Sequence, residues 1–278
     1  MTFIDSIKTY RVQFIVTLLL LAGLYYPVVP SMVKQWYDDP NYSHGFLVPL
    51  IAGYFLSLRL QDLKKVPVRP ARKGLFLLIS GLLMLALAYV GTELFTMRAS
   101  LIVVVAGIIL YLFGTDVLKT MALPVGYLIF MVPLPAVIYD SFAFPLKLFV
   151  TKYSVLFLKA TGVIVWREGN IIMLPDTVLE VADACSGMRS IMSLLALSVA
   201  FAFVSQRSKA KRLILILSAI PIAIVTNSCR VIVTGILAQH WGAAAAEGFF
   251  HEFAGMAVFG LGIVLLVSLG ALLRRIGK

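Results

Sequence analysis

Three residues able to do chemistry, Cys185, Arg230 and His251, lie in or beside long apolar segments of this 278-residue chain. Ionisable side chains are costly in apolar segments and usually serve a function there. A thiolate is a nucleophile, an imidazole transfers protons near neutral pH, and a guanidinium stabilises developing negative charge. The three residue types therefore indicate cysteine-based nucleophilic catalysis if the fold brings them together.

The surroundings of each residue favour this hypothesis and leave a structural alternative open. Cys185 follows Asp183 among small residues at the start of an apolar segment, and a helix N-terminus lowers the pKa of a thiol. Arg230 lies well inside an apolar run with Asn227 on the same helical face, although it can also snorkel to the membrane surface or form a structural ion pair. His251 lies among aromatic residues, where an interfacial histidine is the ordinary alternative.

Other polar residues are candidates for supporting roles near these three: Glu180, Asp183, Arg189, Asn227 and His44. Cys229 is expected to be structural, because neighbouring residues of a helix point about 100° apart and Cys229 adjoins Arg230. A zinc site formed by Cys185, Cys229 and His251 has no recognised ligand spacing, so we expect no metal and no cofactor. A disulfide between the two cysteines is an open alternative in an oxidising compartment.

The composition is that of a helical membrane protein. Hydrophobic residues make up 61% of the chain, charged residues 13%, and the mean hydropathy is +0.98. A soluble domain needs more polar surface, and a transmembrane barrel shows short segments that alternate with period two. The net charge of +11 does not indicate nucleic-acid binding, because the basic residues fall mainly in short loops, where membrane topology explains them.

We predict an all-α polytopic membrane protein with about eight transmembrane helices. Between the fifth and sixth spans lies a distinct region, 140–186. Its first part, 141–160, suits an amphipathic interfacial helix or a ninth hydrophobic element in the bundle. Its second part indicates two short strands around a Gly169-Asn170 turn and a third strand at 178–181, forming a small cap. The eight predicted spans are 13–32, 45–59, 74–92, 99–113, 120–139, 187–205, 213–237 and 250–273.

The basic residues predict the orientation. Sixteen of the 24 lysines and arginines fall in one set of loops, and six, Arg98 among them, fall in the opposite set. The positive-inside rule then places both termini in the cytoplasm and the cap region 140–186 outside. At ~1.5 Å per residue, Cys185, Arg230 and His251 lie roughly 30, 26 and 33 Å above the inner boundary, near the outer edge of the membrane. We expect one integral membrane domain, 1–278, with its catalytic core at about 180–260.

Several blocks of the chain resemble the exosortase/archaeosortase family, over about residues 40 to 260. The blocks are Ala184-Cys-Ser-Gly-Met-Arg189, Asn227-Ser-Cys-Arg230, His251 with Gly255, Tyr42-Ser-His-Gly-Phe-Leu-Val-Pro49 and Val132-Pro-Leu-Pro135. The resemblance implies a membrane transpeptidase with Cys185 as the nucleophile and Arg230 and His251 as its partners. With histidine at position 251, the chain resembles the bacterial members of the family, which implies the inner membrane. It also looks like the core enzyme without the C-terminal domain of many relatives.

The resemblance also implies the substrates. They are membrane-anchored proteins that end in a short motif, an apolar helix and a basic tail, of the PEP-CTERM type often linked to exopolysaccharide production. The thiolate of Cys185 would form a thioacyl enzyme on the outer side of the membrane and pass the acyl group to an acceptor. The alternatives are a membrane transporter and a non-catalytic subunit of an exopolysaccharide export system. A transporter is disfavoured, since its binding groups usually lie near the midplane of repeated halves.

Overall fold

The computed structural model describes residues 2–175, 177–181, 187–242 and 249–276. Most of these residues are helical, and one small sheet accompanies the helices. The chain divides into two compact units, Met1–Pro135 and Ala136–Lys278. Each unit is described in turn below.

The first unit is helical throughout. Two short 3₁₀ segments, Pro40–Phe46 and Leu128–Met131, interrupt its α-helices. The α-helices are α1 (Phe3–Thr9), α2 (Arg11–Leu24), α3 (Val28–Asp38), α4 (Leu47–Leu63), α5 (Lys73–Val90), α6 (Leu94–Phe113) and α7 (Thr115–Tyr127).

In the part of the second unit that the structure describes, four helices accompany the predicted cap. Its helices are α8 (Ala136–Ala160), α9 (Met188–Ser205), α10 (Lys209–Trp241) and α11 (Phe249–Arg275). Strands β1 (Trp166–Glu168), β2 (Ile171–Met173) and β3 (Val178–Glu180) form an antiparallel sheet in sequence order. Gly169, with φ of +60°, turns the chain between β1 and β2. The hairpin at Gly169-Asn170 and the third strand are confirmed.

The prediction of about eight transmembrane helices is also confirmed. Within the described residues, seven helices are long and apolar enough to cross a membrane, and an eighth span results if α2 and α3 count as one. These two helices meet at an angle of 60°, whereas we predicted a single span at 13–32. The bend lies beside Pro27, which has no N–H to donate to the preceding turn. The chain is a multi-pass membrane protein.

The predicted fifth span, 120–139, is wrong in its boundaries. Helix α7 ends at Tyr127, the second 3₁₀ segment ends at Met131, and a short stretch without helix precedes α8. The sequence Val132-Pro-Leu-Pro135 explains the interruption, because each proline disfavours the helical conformation in the residue before it. The segment 141–160 belongs to α8, a continuous helix of 25 residues that is itself a candidate span.

Helix α7 is too short to count as a candidate span, yet with the second 3₁₀ segment it runs the length of α4. Its 13 α-helical and four 3₁₀ residues cover about 28 Å at the usual rise per residue. It begins beside the end of α6 and packs against α4. Its far end reaches α3 and the first 3₁₀ segment. The indole Nε1 of Trp36 in α3 donates to the carbonyl of Met131 at 2.9 Å, and the hydroxyl of Tyr42 in the 3₁₀ segment donates to the carbonyl of Leu134 at 3.3 Å.

Arg98 corrects the predicted loop assignment. We placed it in a loop, but it lies in the second turn of α6 and is only 3% exposed. Its Nη1 donates to Oε1 of Gln35 at 2.5 Å. Helix α6 starts five residues earlier than predicted because Glu93 caps it, with the carboxylate accepting from the backbone N–H groups of Phe95 and Thr96.

Two apolar clusters organise the second unit. In one, Leu194 of α9, Ala219 of α10 and Leu266 of α11 are each at most 1% exposed and belong to the same cluster. In the other, the sheet and the second half of α8 pack against the Trp241 end of α10. Helix α10 contributes Val231 and Ala238 to this cluster. The three-helix bundle thus carries the sheet at one end of α10.

Helix α10 is the longest element of the unit. Its 33 residues span about 50 Å, whereas the hydrocarbon core of a membrane is about 30 Å thick. Its first turn is anchored, since Nε of Arg212 donates to the carbonyl of Gln206 at 2.7 Å and Nζ of Lys211 donates to that of Ile276. The amide of Gln206 donates in turn to the carbonyl of Gly270 at 2.7 Å. The anchored end is the basic end.

Candidate functional site

The start of α9 lies directly against α10. Gly187 precedes α9 with φ of +86°, a conformation that side-chain-bearing residues rarely adopt. A Cβ on Gly187 would lie 3.1 Å from Nδ2 of Asn227, closer than nine in ten real Cβ contacts. Asn227 is only 1% exposed. The predicted motif blocks around residues 187 and 227 therefore meet in the structure.

Arg230, on the same helix as Asn227, contacts α11. It lies three residues beyond Asn227 on α10 and is partly buried. A Cβ on Gly255 would lie 3.6 Å from both Cζ and Nη2 of Arg230. The guanidinium thus packs on the backbone of α11 at a single glycine.

His251 lies in the first turn of α11, four residues before Gly255. Residues four apart lie on one face of a helix. The backbone of His251 is therefore on the same face as the glycine beneath Arg230. The side chain of His251 lies outside what the structure describes, and so do Asp183 and Cys185 entirely. That the thiol, the guanidinium and the imidazole lie at one depth in the membrane therefore stays a prediction.

The remaining supporting candidates occupy different places. Glu180 ends β3 in an exposed position, and its Oε1 accepts from Nδ2 of Asn170 at 3.4 Å, an interaction that joins it to the β1–β2 turn. Arg189 is exposed in the first turn of α9. His44 belongs to the first unit, where it is partly buried in the first 3₁₀ segment. Among the side chains that the structure describes, no three His, Cys, Asp or Glu residues are grouped to hold a metal ion.

Cys229 lies on a different face of α10 from its neighbour Arg230. Its thiol is free and exposed, whereas Arg230 is partly buried. Successive helical residues differ in direction by about 100°, which accounts for the difference. In an apolar helix, this exposure directs Cys229 away from the polar contacts of Asn227 and Arg230.

Sequence reasoning missed two neighbours of these contacts. Thr226 is 2% exposed, and its hydroxyl donates to the carbonyl of Ile222 at 2.9 Å. The completely buried Ser154 of α8 donates to the carbonyl of Ser228 at 3.4 Å. The run Thr226-Asn227-Ser228 inside an apolar segment was the signal that could have predicted polar contacts along this part of α10. The sequence left open whether 141–160 packs in the bundle, and no local pattern indicated that it meets this part of α10.

The arrangement suits the binding of negative charge. An arginine offers five N–H donors in a planar fork, and Gly255 lets that fork pack close to the backbone of α11. Donors held in place near a developing oxyanion are among the largest contributions to acyl-transfer catalysis. The contact of Gly187 with Asn227 holds the start of α9, two residues after Cys185, near these donors.

Comparison with known proteins identifies one family. The model of the transmembrane exosortase family (Exosortase_EpsH) matches residues 36–268. No curated protein and no solved structure shows a significant match. The matched range includes Gly187, Asn227, Arg230 and Gly255.

Proposed function

Because this chain belongs to the transmembrane exosortase family, we propose that it is a membrane-embedded cysteine protease and transpeptidase that cleaves C-terminal sorting signals. The observation that carries the proposal is the pair of contacts of α10, from Asn227 to Gly187 and from Arg230 to Gly255. Each contact joins α10 to a segment that bears another proposed catalytic residue. Two residues of extended chain cover only about 7 Å, so the proposal needs no long connection between Cys185 and Gly187.

The proposed reaction begins with attack of the Cys185 thiolate on the carbonyl carbon of the scissile peptide bond. Arg230 donates hydrogen bonds to the oxyanion that develops there. His251 gives a proton to the leaving amine as the tetrahedral intermediate collapses to a thioester. In the second half, His251 takes a proton from the acceptor nucleophile, which attacks the thioester and releases Cys185.

The substrates in this proposal are exported proteins that end in a PEP-CTERM-like motif, an apolar helix and a basic tail. The tail helix enters among the spans with its basic end in the cytoplasm, which brings the motif to the outer surface. The chain then lies in the bacterial inner membrane with both termini inside and the active site on the periplasmic side. The anchored, basic first turn of α10 supports this orientation, because Lys211 and Arg212 fit the cytoplasmic boundary.

Substitution of the proposed nucleophile tests the function. We expect Cys185→Ala to abolish processing of a co-expressed substrate while the protein still accumulates in the membrane, because the thioester cannot form. Processing is measured as the shift of the substrate on a gel. The matched control is Cys229→Ala, which removes the exposed thiol next to Arg230 and should retain most activity. Full processing by Cys185→Ala would refute the nucleophile assignment.

Thiol labelling tests the placement of the site. In the Cys229→Ala variant, a membrane-impermeant maleimide added to spheroplasts should label Cys185 and stop processing. Wild-type protein and the Cys185→Ala variant are treated in parallel, and the latter should label more slowly, because its remaining thiol, Cys229, is exposed but is not the proposed nucleophile. Labelling that appears only after the membrane is opened would place the thiol on the cytoplasmic side and contradict the proposed topology.

A further inference from the structure

A small cavity with a strongly basic lining lies in the second unit, away from the contacts of Arg230. Its volume is about 240 Å³, and it lies between the second half of α8 and strand β1. This volume is below the range of about 300–1,000 Å³ usual for drug-sized ligands, so the cavity suits a compact chemical group. Its lining residues are Lys152, Val155, Leu156, Lys159, Trp166 and Arg167.

Helix α8 contributes one stripe of this lining. Lys152, Val155, Leu156 and Lys159 follow the spacing of three, four and seven residues that places side chains on one helical face. The stripe therefore has an ammonium group at each end and branched apolar side chains between them. Such a pattern fits a ligand with a charged part and an apolar part.

Strand β1 supplies the opposite wall. The ammonium of Lys159 lies 5.3 Å from the ring centroid of Trp166, a cation–π contact that joins the two walls. The guanidinium of Arg167 donates to the carbonyl of Gly169 through Nη1 at 3.3 Å. An arginine has five N–H donors, so this bond leaves Arg167 able to bind a ligand oxygen as well.

The cavity lining carries three cationic side chains and no carboxylate. Two nearby acids do not line it: Glu168 is exposed on β1, and Glu180 accepts from Asn170. Elsewhere in the described chain, Arg59 and Asp62 form an ion pair at 3.3 Å. Three like charges around one small space repel each other, and an anion between them relieves that repulsion.

The surroundings place the cavity at the level of lipid headgroups. Helix α8 and the sheet pack on Val231 and Ala238, near the Trp241 end of α10. When the other end of α10 lies at the membrane boundary, this end extends beyond the hydrocarbon core, which is ~30 Å thick. The exposed ring of Trp166 lines the cavity, and Phe157, next to Leu156 on α8, is exposed as well. Tryptophan is enriched at the interface between membrane and water, and basic pockets there bind lipid headgroups.

We propose that this cavity binds the phosphate of an anionic phospholipid. Lys152, Lys159 and Arg167 bind the phosphate oxygens, with the guanidinium suited to two of them at once. Val155 and Leu156 contact the glycerol and the first acyl carbons. The proposal does not depend on the chemistry of Cys185, so either can fail without the other.

The test uses the full-length protein purified in detergent and stripped of lipid. Native mass spectrometry and thermal melting are followed as phosphatidylglycerol, phosphatidylcholine or inorganic phosphate is added. Phosphatidylglycerol should bind with at least tenfold higher affinity than phosphatidylcholine, which carries the same phosphate with a compensating positive charge, and should raise the melting temperature. Inorganic phosphate that protects as well as phosphatidylglycerol would indicate a site for a free anion and overturn the lipid assignment.

Variants then locate the binding. The double variant Lys152→Gln/Lys159→Gln should lose at least tenfold in affinity for phosphatidylglycerol. Lys147→Gln makes the same kind of charge change on α8 outside the cavity and should bind as the wild type does. If the double variant fails to fold, Arg167→Gln is measured in its place and should show the same direction of loss. Unchanged affinity in a folded cavity variant contradicts the proposal.

Discussion

Arg98 in the first unit and Arg230 in the second are both arginines inside apolar helices, yet their neighbours differ. Arg98 is 3% exposed, and the amide oxygen of Gln35 accepts from its guanidinium at 2.5 Å. Arg230 is partly buried, and the nearest wall of α11 is the bare backbone at Gly255. A polar side chain from α3 thus accepts from Arg98, whereas the guanidinium of Arg230 packs on the backbone of α11 at a glycine. The kind of neighbour, more than the depth of burial, distinguishes the two arginines.

The sharpest way to break this comparison is to neutralise each arginine. Arg230→Gln should lower processing of a co-expressed substrate by about 100-fold or more, the loss typical of removing one oxyanion donor. Arg98→Gln should instead reduce the amount of folded protein, since losing a buried hydrogen bond costs about 1–3 kcal/mol. Processing is normalised to the folded protein recovered from the membrane. An Arg98 variant that accumulates normally but is inactive would remove the distinction.

The position of the Arg230 guanidinium can be changed from α11, at Gly255. Gly255→Leu should reduce processing by about tenfold, because a Cβ there already contacts the guanidinium and a larger side chain displaces it. Gly260→Leu is the matched control on the same helix, since a Cβ at Gly260 has nothing within 4 Å. Rates are compared in membranes with equal amounts of each variant. Equal losses in both variants would mean that the effect comes from the helix and not from Arg230.

A smaller effect is expected at the start of α9. Gly187→Ala should slow processing several-fold, because the new Cβ strains the backbone and presses on the side chain of Asn227. Gly162 has the same φ of +86° with open space around its Cβ, so Gly162→Ala isolates the backbone strain, about 1–2 kcal/mol. Melting temperature and processing are measured for both. If the two variants behave alike, the contact with Asn227 contributes nothing to activity.

Local sequence patterns predicted much of the fold. Hydropathy located the long helices, and Gly169-Asn170 between short apolar runs predicted the β-hairpin. The fifth span failed because an averaged window is apolar on both sides of Pro133 and Pro135 and ignores the break that they cause. Arg98 was misplaced for a related reason, since its partner Gln35 is 63 residues away and no local pattern reports that bond.

The candidate site was predictable in its residue types and less so in its contacts. The spacing along α10 was enough to place Asn227 and Arg230 on one face. The approach of Gly187 to Asn227 joins residues 40 positions apart, and it depends on how α9 packs against α10. Glu180 stays a predicted supporting residue, and its bond to Asn170 across the sheet is a contact that local sequence did not indicate. Chemistry was visible in the sequence, whereas the distances came from packing.

Because its first turn is anchored, α10 fixes the distance along its axis from that end to Arg230. Arg212 is tied to Gln206, and Arg230 stands 18 residues beyond it, about 27 Å along the axis. The proposed active site therefore has a fixed height above the boundary that we propose to be cytoplasmic, and the helix sets this height whereas the lipid does not. In a thicker bilayer the scissile bond of a substrate would be drawn outward past the guanidinium, and in a thinner one it would stop short. Bilayer thickness would then act as a selector of substrates, matching the length of their apolar tails to this helix.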